Sequence, residues 1–478
     1  MTGKSGKKQE LDISRVRNIH LVGIGGCGMS AIAKVLHQMG YHVSGSDMKE
    51  SVNTIRLKDM GVPVFFRHRG ANLREADLVV YSSAIPRENV ELQEATSQNL
   101  PMITRAEMLS WIMTQSKVPI AVCGTHGKTT TTSMLSLIFD RCGLDPTFLI
   151  GGENNDVGGN AKLGKGRYLI AEADESDGSF TKLFPHIMIL TNLEADHLDY
   201  YGTLEKLIKT FVTYVETLPQ ETSLITHSDH PIILDFLKRI NGKRQVFTYG
   251  KGKEADLYYD AATFQENQSQ FDVFKKGEKL GRVILNVPGE QNIFNALAAI
   301  TVGLEVGLDF PSMSEALQSF SGARRRFQPI GKTEDILIFD DYAHHPTEVT
   351  YTLQAARLGW PSRRIVAVFQ PHRFTRTALL AEEFSTAFEQ ADMTIVSNVY
   401  SAGEERMAGV SGKLISKGVE EQGKTVLYIP KKEKICDHLM EILKPGDLLL
   451  TMGAGDIYTV AKEVFHRLKE KRERLTLA

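Results

Sequence analysis

Cysteine is scarce in this chain of 478 residues: Cys27, Cys123, Cys142 and Cys436 are all there is, with no Cys-x-x-Cys spacing. That argues against a disulfide framework and a zinc ribbon, and the expectation is reduced thiols in a cytoplasm. Long apolar runs are missing as well; none approaches the roughly 18 to 20 residues needed to cross a bilayer. Neither sign of charge dominates. Lys and Arg number 56 against 58 Asp and Glu, a net charge of -2, so no global field draws the chain to nucleic acid or to anionic lipid. The basic start, Lys4 to Lys8, has no apolar h-region behind it, so a secretory signal is not expected. With 42% apolar and 24% charged residues, neither disorder nor a fibre is indicated.

What is present is one grammar used three times: a short β-branched run, a turn with Gly, then a helical pattern. It predicts parallel sheet covered by helices, an α/β fold. Ile19–Val22 leads into a helix near Met29, Val118–Cys123 into one near Lys128, and Arg364–Phe369 into one from about Thr375. Length alone favours about three domains. Fresh strands and turns place them at 1–116, 117–326 and 327–478, the first and last Rossmann-like. Gln265 to Lys279 alternates weakly and reads as antiparallel hairpin material within the middle unit. The residues after Phe465 read as a charged, solvated helix end.

The first turn, Gly23-Ile-Gly-Gly-Cys-Gly28, matches G-x-G-x-x-G after a strand and before a helix, with Asp47 about 20 residues on. Glycines admit a pyrophosphate to the backbone, the helix N-terminus favours its charge, and Asp47 can accept from a ribose hydroxyl. A dinucleotide and a UDP-sugar both satisfy this. Candidate contacts are Gly25, Gly26, Cys27, Gly28, Met29, Ser30 and Asp47. Ser82 and Ser83, just past the strand Asp77–Tyr81, join them because open α/β sheets bind ligands at strand C-termini. His68 and Asn72 can reach the same cleft.

The second turn, Gly124-Thr-His-Gly-Lys-Thr129, departs from strict Walker spacing because Val122 stands where the first Gly belongs. Its working parts remain. Gly127 frees the backbone to wrap phosphate, Lys128 supplies a charge for the β- and γ-phosphates, and the Thr129 hydroxyl can hold Mg²⁺. Threonines at 129–132 are poor helix starters unless the first have another task. Gly124, Thr125, His126, Gly127, Lys128, Thr129 and Thr130 are therefore assigned to ATP. The strand Tyr168–Glu172 ends in a burst of acids that calls for a cation. Glu172, inside the apolar run, is the expected ligand, while Glu175 and Asp177 suit an exposed acidic loop. After the strand Ile187–Leu190, His197 with Asp196 offers a second metal position, one of the pair being structural. In the last unit His372, Arg373 and Arg376 follow a strand end and make an anion site for a small carboxylate or a phosphate. Asp341 and His344 follow the strand Ile336–Phe339. Phe327 beside the arginines at 324–326 suggests that one or two of them turn inward.

Taken in order, GTHGKTTTT, EADESD and TNLEADHLDYYG resemble the Mur ligase family, which builds the peptide stem of peptidoglycan. Asn286–Asn295, Arg324–Phe327 and Asp340–Pro346 are similar to its adenine-contacting segment, its arginine-bearing hinge and the first turn of its C-terminal domain. The resemblance covers nearly the whole chain. It implies a first domain that holds UDP-N-acetylmuramate rather than NAD, and a central ATP site completed by Asn292, Asn295, Arg326, Asp341 and His344. It further implies Mg²⁺, one or two ions, on Thr129, Glu172 and His197. Lys128, Glu172 and His197 become the catalytic set. GIGGCGMS, Pro371–Arg376 and Tyr400–Glu405 resemble the branch that adds L-alanine, which puts Tyr342, His372, Arg373 and Arg376 on that substrate. Arg67 stands where relatives carry Gly before the histidine, a departure that bears on the uridine contact of His68. A monomer or weak homodimer is expected. The rivals are a ligase adding a peptide to the same nucleotide sugar, an NAD-dependent oxidoreductase, and a non-enzymatic nucleotide sensor.

Overall fold

The computed structural model describes residues 12–240, 242 and 244–477; the basic segment Lys4–Lys8 lies outside them. The described residues form three sheets in series. The first is wholly parallel, in the order Val64–Phe65, His42–Ser46, Asn18–Val22, Leu78–Tyr81, Met102–Thr104. Strand order reverses at Asn18–Val22, and the first glycine turn leaves its C-terminal end, where such sheets form a crevice.

The second sheet has ten strands. Its parallel centre is Ser223–His227, Ile187–Leu190, Val118–Cys123, Tyr168–Glu172. These strands are buried along most of their length, which explains their unbroken apolar sequence. The expected hairpin is there and longer than read: Leu257–Gln265, Gln268–Lys275 and Glu278–Leu285 pair antiparallel at one edge. The third sheet has six strands, with Gln328–Thr333 antiparallel to Ile336–Asp341 and the rest parallel.

Packing joins the units unequally. One apolar cluster runs from Leu21, Val35 and Met108 in the first unit to Ala171, Leu190 and Phe211 in the second. The third sheet carries its own cores on its two faces, one around Phe369 and Leu450, the other around Ile338 and Val464. Its seam with the second unit is polar, and that seam carries much of the chemistry. Tyr458–Leu477 is a single terminal helix, as its charged sequence suggested.

Candidate active site

The phosphate loop is built by close approach. Gly127 has φ +83° and caps the helix Lys128–Arg141; a Cβ there would lie 2.5 Å from Asn295 Oδ1. The Thr131 hydroxyl also donates to Asn295 Oδ1 (3.1 Å), so the threonine run anchors the loop to the helix Glu290–Glu305. Lys128 Nζ donates to the carbonyls of Gly124 (2.6 Å) and Thr125 (2.9 Å) and to Glu175 Oε1 (2.8 Å). Glu175 is 3% exposed, so the expectation of a solvated acidic loop fails at this residue. Burial pushes its carboxyl up to about 7 against the pull of Lys128.

Thr129 Oγ1 donates to Glu172 Oε1 (2.9 Å), and the Gly151 amide donates to Glu172 Oε2 (2.6 Å). The half-buried carboxylate thus sits beside the loop with two neutral hydrogen-bond partners. His197 lies 3.6 Å from both Glu175 Oε1 and Asp196 Oδ2. Burial lowers its pKa, with Asp196 opposing, so the ring is neutral near pH 7.

Gly127, Lys128, Thr129, Glu172, Glu175, Asp196 and His197 border one cleft of about 1090 Å³. From the first unit it receives Gly26, Cys27, Gly28, Met29, Ser82 and Ser83; from the third, Tyr342, His344 and Arg373. A side pocket of about 120 Å³ holds Thr130, Asn292, Asn295, Arg326 and Asp341, together with the rings of His227, Tyr249 and Phe294. Its aromatic walls suit a planar base. Burial raises Asp341 to about 6 despite Arg326, and the amides of Phe327 and Ala343 donate to its carboxylate (2.6 and 2.7 Å).

Residues 18–117, 122–303 and 325–455 match, in that order, the Mur ligase family catalytic domain, the Mur ligase middle domain and the Mur ligase glutamate ligase domain. The chain belongs to the Mur ligase family. It is 46% identical over 463 residues to the UDP-N-acetylmuramate–L-alanine ligase of Pelotomaculum thermopropionicum, covering 96% of this chain and 100% of that one. The protein of that name from Syntrophotalea carbinolica is also 46% identical, over 96% and 99% of the two chains. Among solved structures, the UDP-N-acetylmuramate-alanine ligase MurC of Thermotoga maritima superposes with a TM-score of 0.81 at 29% identity, covering 95% of this chain and 100% of that one. A murein peptide ligase from Psychrobacter arcticus gives 0.70 at 26%, covering 95% and 98%.

Several expected contacts of this Mur ligase lie elsewhere than the sequence suggested. His68 is turned into the first unit: its Nδ1 is 3.1 Å from Glu91 Oε2 and 2.9 Å from the Ser46 hydroxyl. Glu91 is fully buried and also accepts from Asn72 Nδ2 (2.6 Å), so both candidates serve that carboxylate rather than the cleft. Asp47 accepts from the Gly25 amide (2.8 Å) and shapes the glycine turn instead of facing the cleft. The Ser30 hydroxyl donates to the Cys27 carbonyl and accepts from Asn160 of the second unit. Gly25, Ser30 and His372 do not line the large cleft. Arg376 borders a small neighbouring cavity and is locked to Asp196 (2.8 Å), which makes Asp196 the structural member of the Asp196–His197 pair.

Sequence reading singled out His126 and Arg373 but missed the contacts that join units. Arg105 donates to Asp174 (2.8 Å) across the first seam. Across the second, His126 Nδ1 lies 3.1 Å from Glu348 Oε1, and Arg373 donates to Asp199 (3.2 Å). All three arginines of the 324–326 run border the cleft, and Arg325 also donates to Asp340 (2.9 Å) and to the carbonyls of Gly453 and Gly455.

Proposed function

We propose that this Mur ligase joins L-alanine to the carboxylate of UDP-N-acetylmuramate with cleavage of ATP to ADP and phosphate, a cytoplasmic step of cell wall peptidoglycan synthesis. The observation that carries this reading is convergence. A glycine turn, a phosphate loop and a small cationic site from three successive units border one cleft. The names of relatives nearly half identical over the whole length support the same substrates.

A free carboxylate is a poor acyl donor, which is the chemical need that ATP meets. In the first step a carboxylate oxygen attacks the γ-phosphorus, the bond to the β–γ bridging oxygen breaks, and ADP leaves an acyl phosphate. In the second, the uncharged amine of L-alanine attacks the acyl carbon. The tetrahedral adduct expels phosphate and loses a proton from nitrogen. Both steps crowd anions together, so positioning and charge stabilisation dominate and no covalent enzyme nucleophile is required.

The chain's own groups fit these tasks. Backbone at Gly26–Gly28 admits the diphosphate of the nucleotide sugar. Lys128 exchanges Glu175 for γ-phosphate oxygens, and Glu175, its pKa near 7, takes a proton when the ammonium departs. Arg373, with Tyr342 and His344, receives the carboxylate of the amino acid. Burial lowers His344 to about 4 and His372 to about 3, so both rings are neutral donors or acceptors rather than charges. Thr129 and Glu172 present the hard oxygen donors that Mg²⁺ prefers, with His197 for a second ion, and metal bound there would neutralise the triphosphate as the carboxylate approaches.

The test is ADP release by the full-length protein. It is expected to need both UDP-N-acetylmuramate and L-alanine. Release that responds to a murein peptide but not to L-alanine would instead place the chain with the peptide-adding ligases.

A further inference from the structure

Beneath the phosphate loop, where the second and third units meet, three side chains converge that the proposed reaction does not use together. They are His126 of the loop, Glu194 after the strand Ile187–Leu190, and His345 at the N-cap of the helix Pro346–Gly359. One donor atom from each lies within 4.8 Å of the others, and the two histidines are buried. His126 Nε2 is buried without a hydrogen-bond partner, 3.5 Å from Glu194 Oε2. His345 Nδ1 is 3.9 Å from the same oxygen.

Those spacings are too long for hydrogen bonds and suit a shared ion. Nitrogen and oxygen ligands at roughly 2.0 to 2.2 Å from a tetrahedral centre stand about 3.4 Å apart. The far nitrogens are already held in the manner of metal-bound histidines, whose second ring N–H usually meets a carboxylate or a carbonyl. His126 Nδ1 is on Glu348 Oε1 (3.1 Å), and His345 Nε2 is on the Ala195 carbonyl (3.4 Å). An ion at this point would displace the Nε2 proton of His126 that Glu194 and Glu348 otherwise retain on the ring, leaving the inward nitrogen of each histidine as the ligand atom. The weak cap that His345 Nδ1 accepts from the Thr347 amide (3.4 Å) would yield to a stronger ligand, and the Thr347 hydroxyl already orients Glu194. His230 Nε2, 3.7 Å from Glu194 Oε1, stands behind the carboxylate.

We propose that His126, Glu194 and His345 form a binding site for a zinc-class divalent ion, separate from Thr129 and Glu172. Two imidazoles and one carboxylate favour zinc or cobalt over magnesium, which prefers oxygen. The ligands come from two units, so a bound ion pins the phosphate loop to the third unit. Micromolar zinc then acts as a slow, chelator-reversible brake on any turnover that requires these units to part.

Cobalt(II) added to the full-length protein in excess Mg²⁺, without nucleotide, tests the site directly. A tetrahedral visible absorption band saturating at a single equivalent is expected, bleached by zinc. The band should vanish in Glu194→Gln and in His345→Asn, which keeps a good N-cap but removes the imidazole. It should persist in His197→Ala. Zinc should slow wild-type turnover at concentrations at least about tenfold below those that slow His345→Asn. No band in the wild type overturns the proposal, as does a band that survives both ligand substitutions in folded protein or is lost in His197→Ala.

Discussion

His126 and Glu348 are 222 positions apart in sequence and 3.1 Å apart in space, one on the phosphate loop and the other on the first turn of a helix in the third unit. Burial opposes charge on His126, but Glu194 and Glu348 override it and hold its pKa up to about 10. The loop proposed to receive the triphosphate is thereby tied electrostatically to the third unit.

A pH prediction follows from that tie. His126 has a folded pKa raised above its unfolded value of about 6.5. Its contribution to stability is complete below the unfolded value and fades as pH rises through about 10. The gap in Tm between wild type and His126→Asn should therefore be widest near pH 6 and narrow steadily toward pH 10. A gap that stays constant across that range would show that the ring docks uncharged.

Lys128→Ala should lower turnover by at least about two orders of magnitude, the scale for losing a transition-state charge contact. Substrate-dependent ADP release measures it; near-normal release would remove Lys128 from phosphate handling. The same change strands Glu175, which burial already pushes to about 7. The variant's carboxyl should then titrate higher still, so the protein should lose little stability at neutral pH.

Gly127→Ala tests the loop's geometry apart from its charge. The new Cβ meets Asn295 Oδ1 at 2.5 Å at a φ of +83°, so strain and a displaced amide act together. A loss of more than about 1 kcal/mol in stability is expected. The KM for ATP should rise more than that for UDP-N-acetylmuramate. An unchanged KM for ATP would mean that Asn295 does not face the nucleotide.

The legible parts of this chain are those whose residues are neighbours in sequence. Both glycine turns declare themselves because strand, turn and helix start fall within a dozen residues, and Glu172 stands out as an acid inside an apolar strand. Glu175 does not, because its burial depends on Lys128 folding back over it. His68 reads as a cleft residue until Glu91, 23 positions away, is seen to hold it. The seams, Arg105 with Asp174 and His126 with Glu348, depend on how units dock, and no local pattern encodes that.

Arg373 and Arg376 carry the same charge and sit three residues apart, yet their removal should have different consequences. Arg376 is 9% exposed and its partner Asp196 is 8% exposed, their side chains joined at 2.8 Å. Arg376→Ala leaves a buried carboxylate unpaired, a loss on the order of 3 to 5 kcal/mol. Its main signature should be a lowered Tm. Arg373 is about a third exposed, borders the large cleft and, among the described residues, forms its ion pair with the half-exposed Asp199 at 3.2 Å. Such an exposed pair contributes little to stability, at most about 1 kcal/mol, so Arg373→Ala should fold normally. It should raise the KM for L-alanine roughly ten- to a hundredfold, the value of one charged hydrogen bond to a carboxylate. The KM for ATP should not move. If Arg373→Ala left the L-alanine KM unchanged while Arg376→Ala raised it in protein still folded at the assay temperature, the amino acid carboxylate would be assigned to Arg376, and Asp196 would have to release that arginine whenever substrate binds.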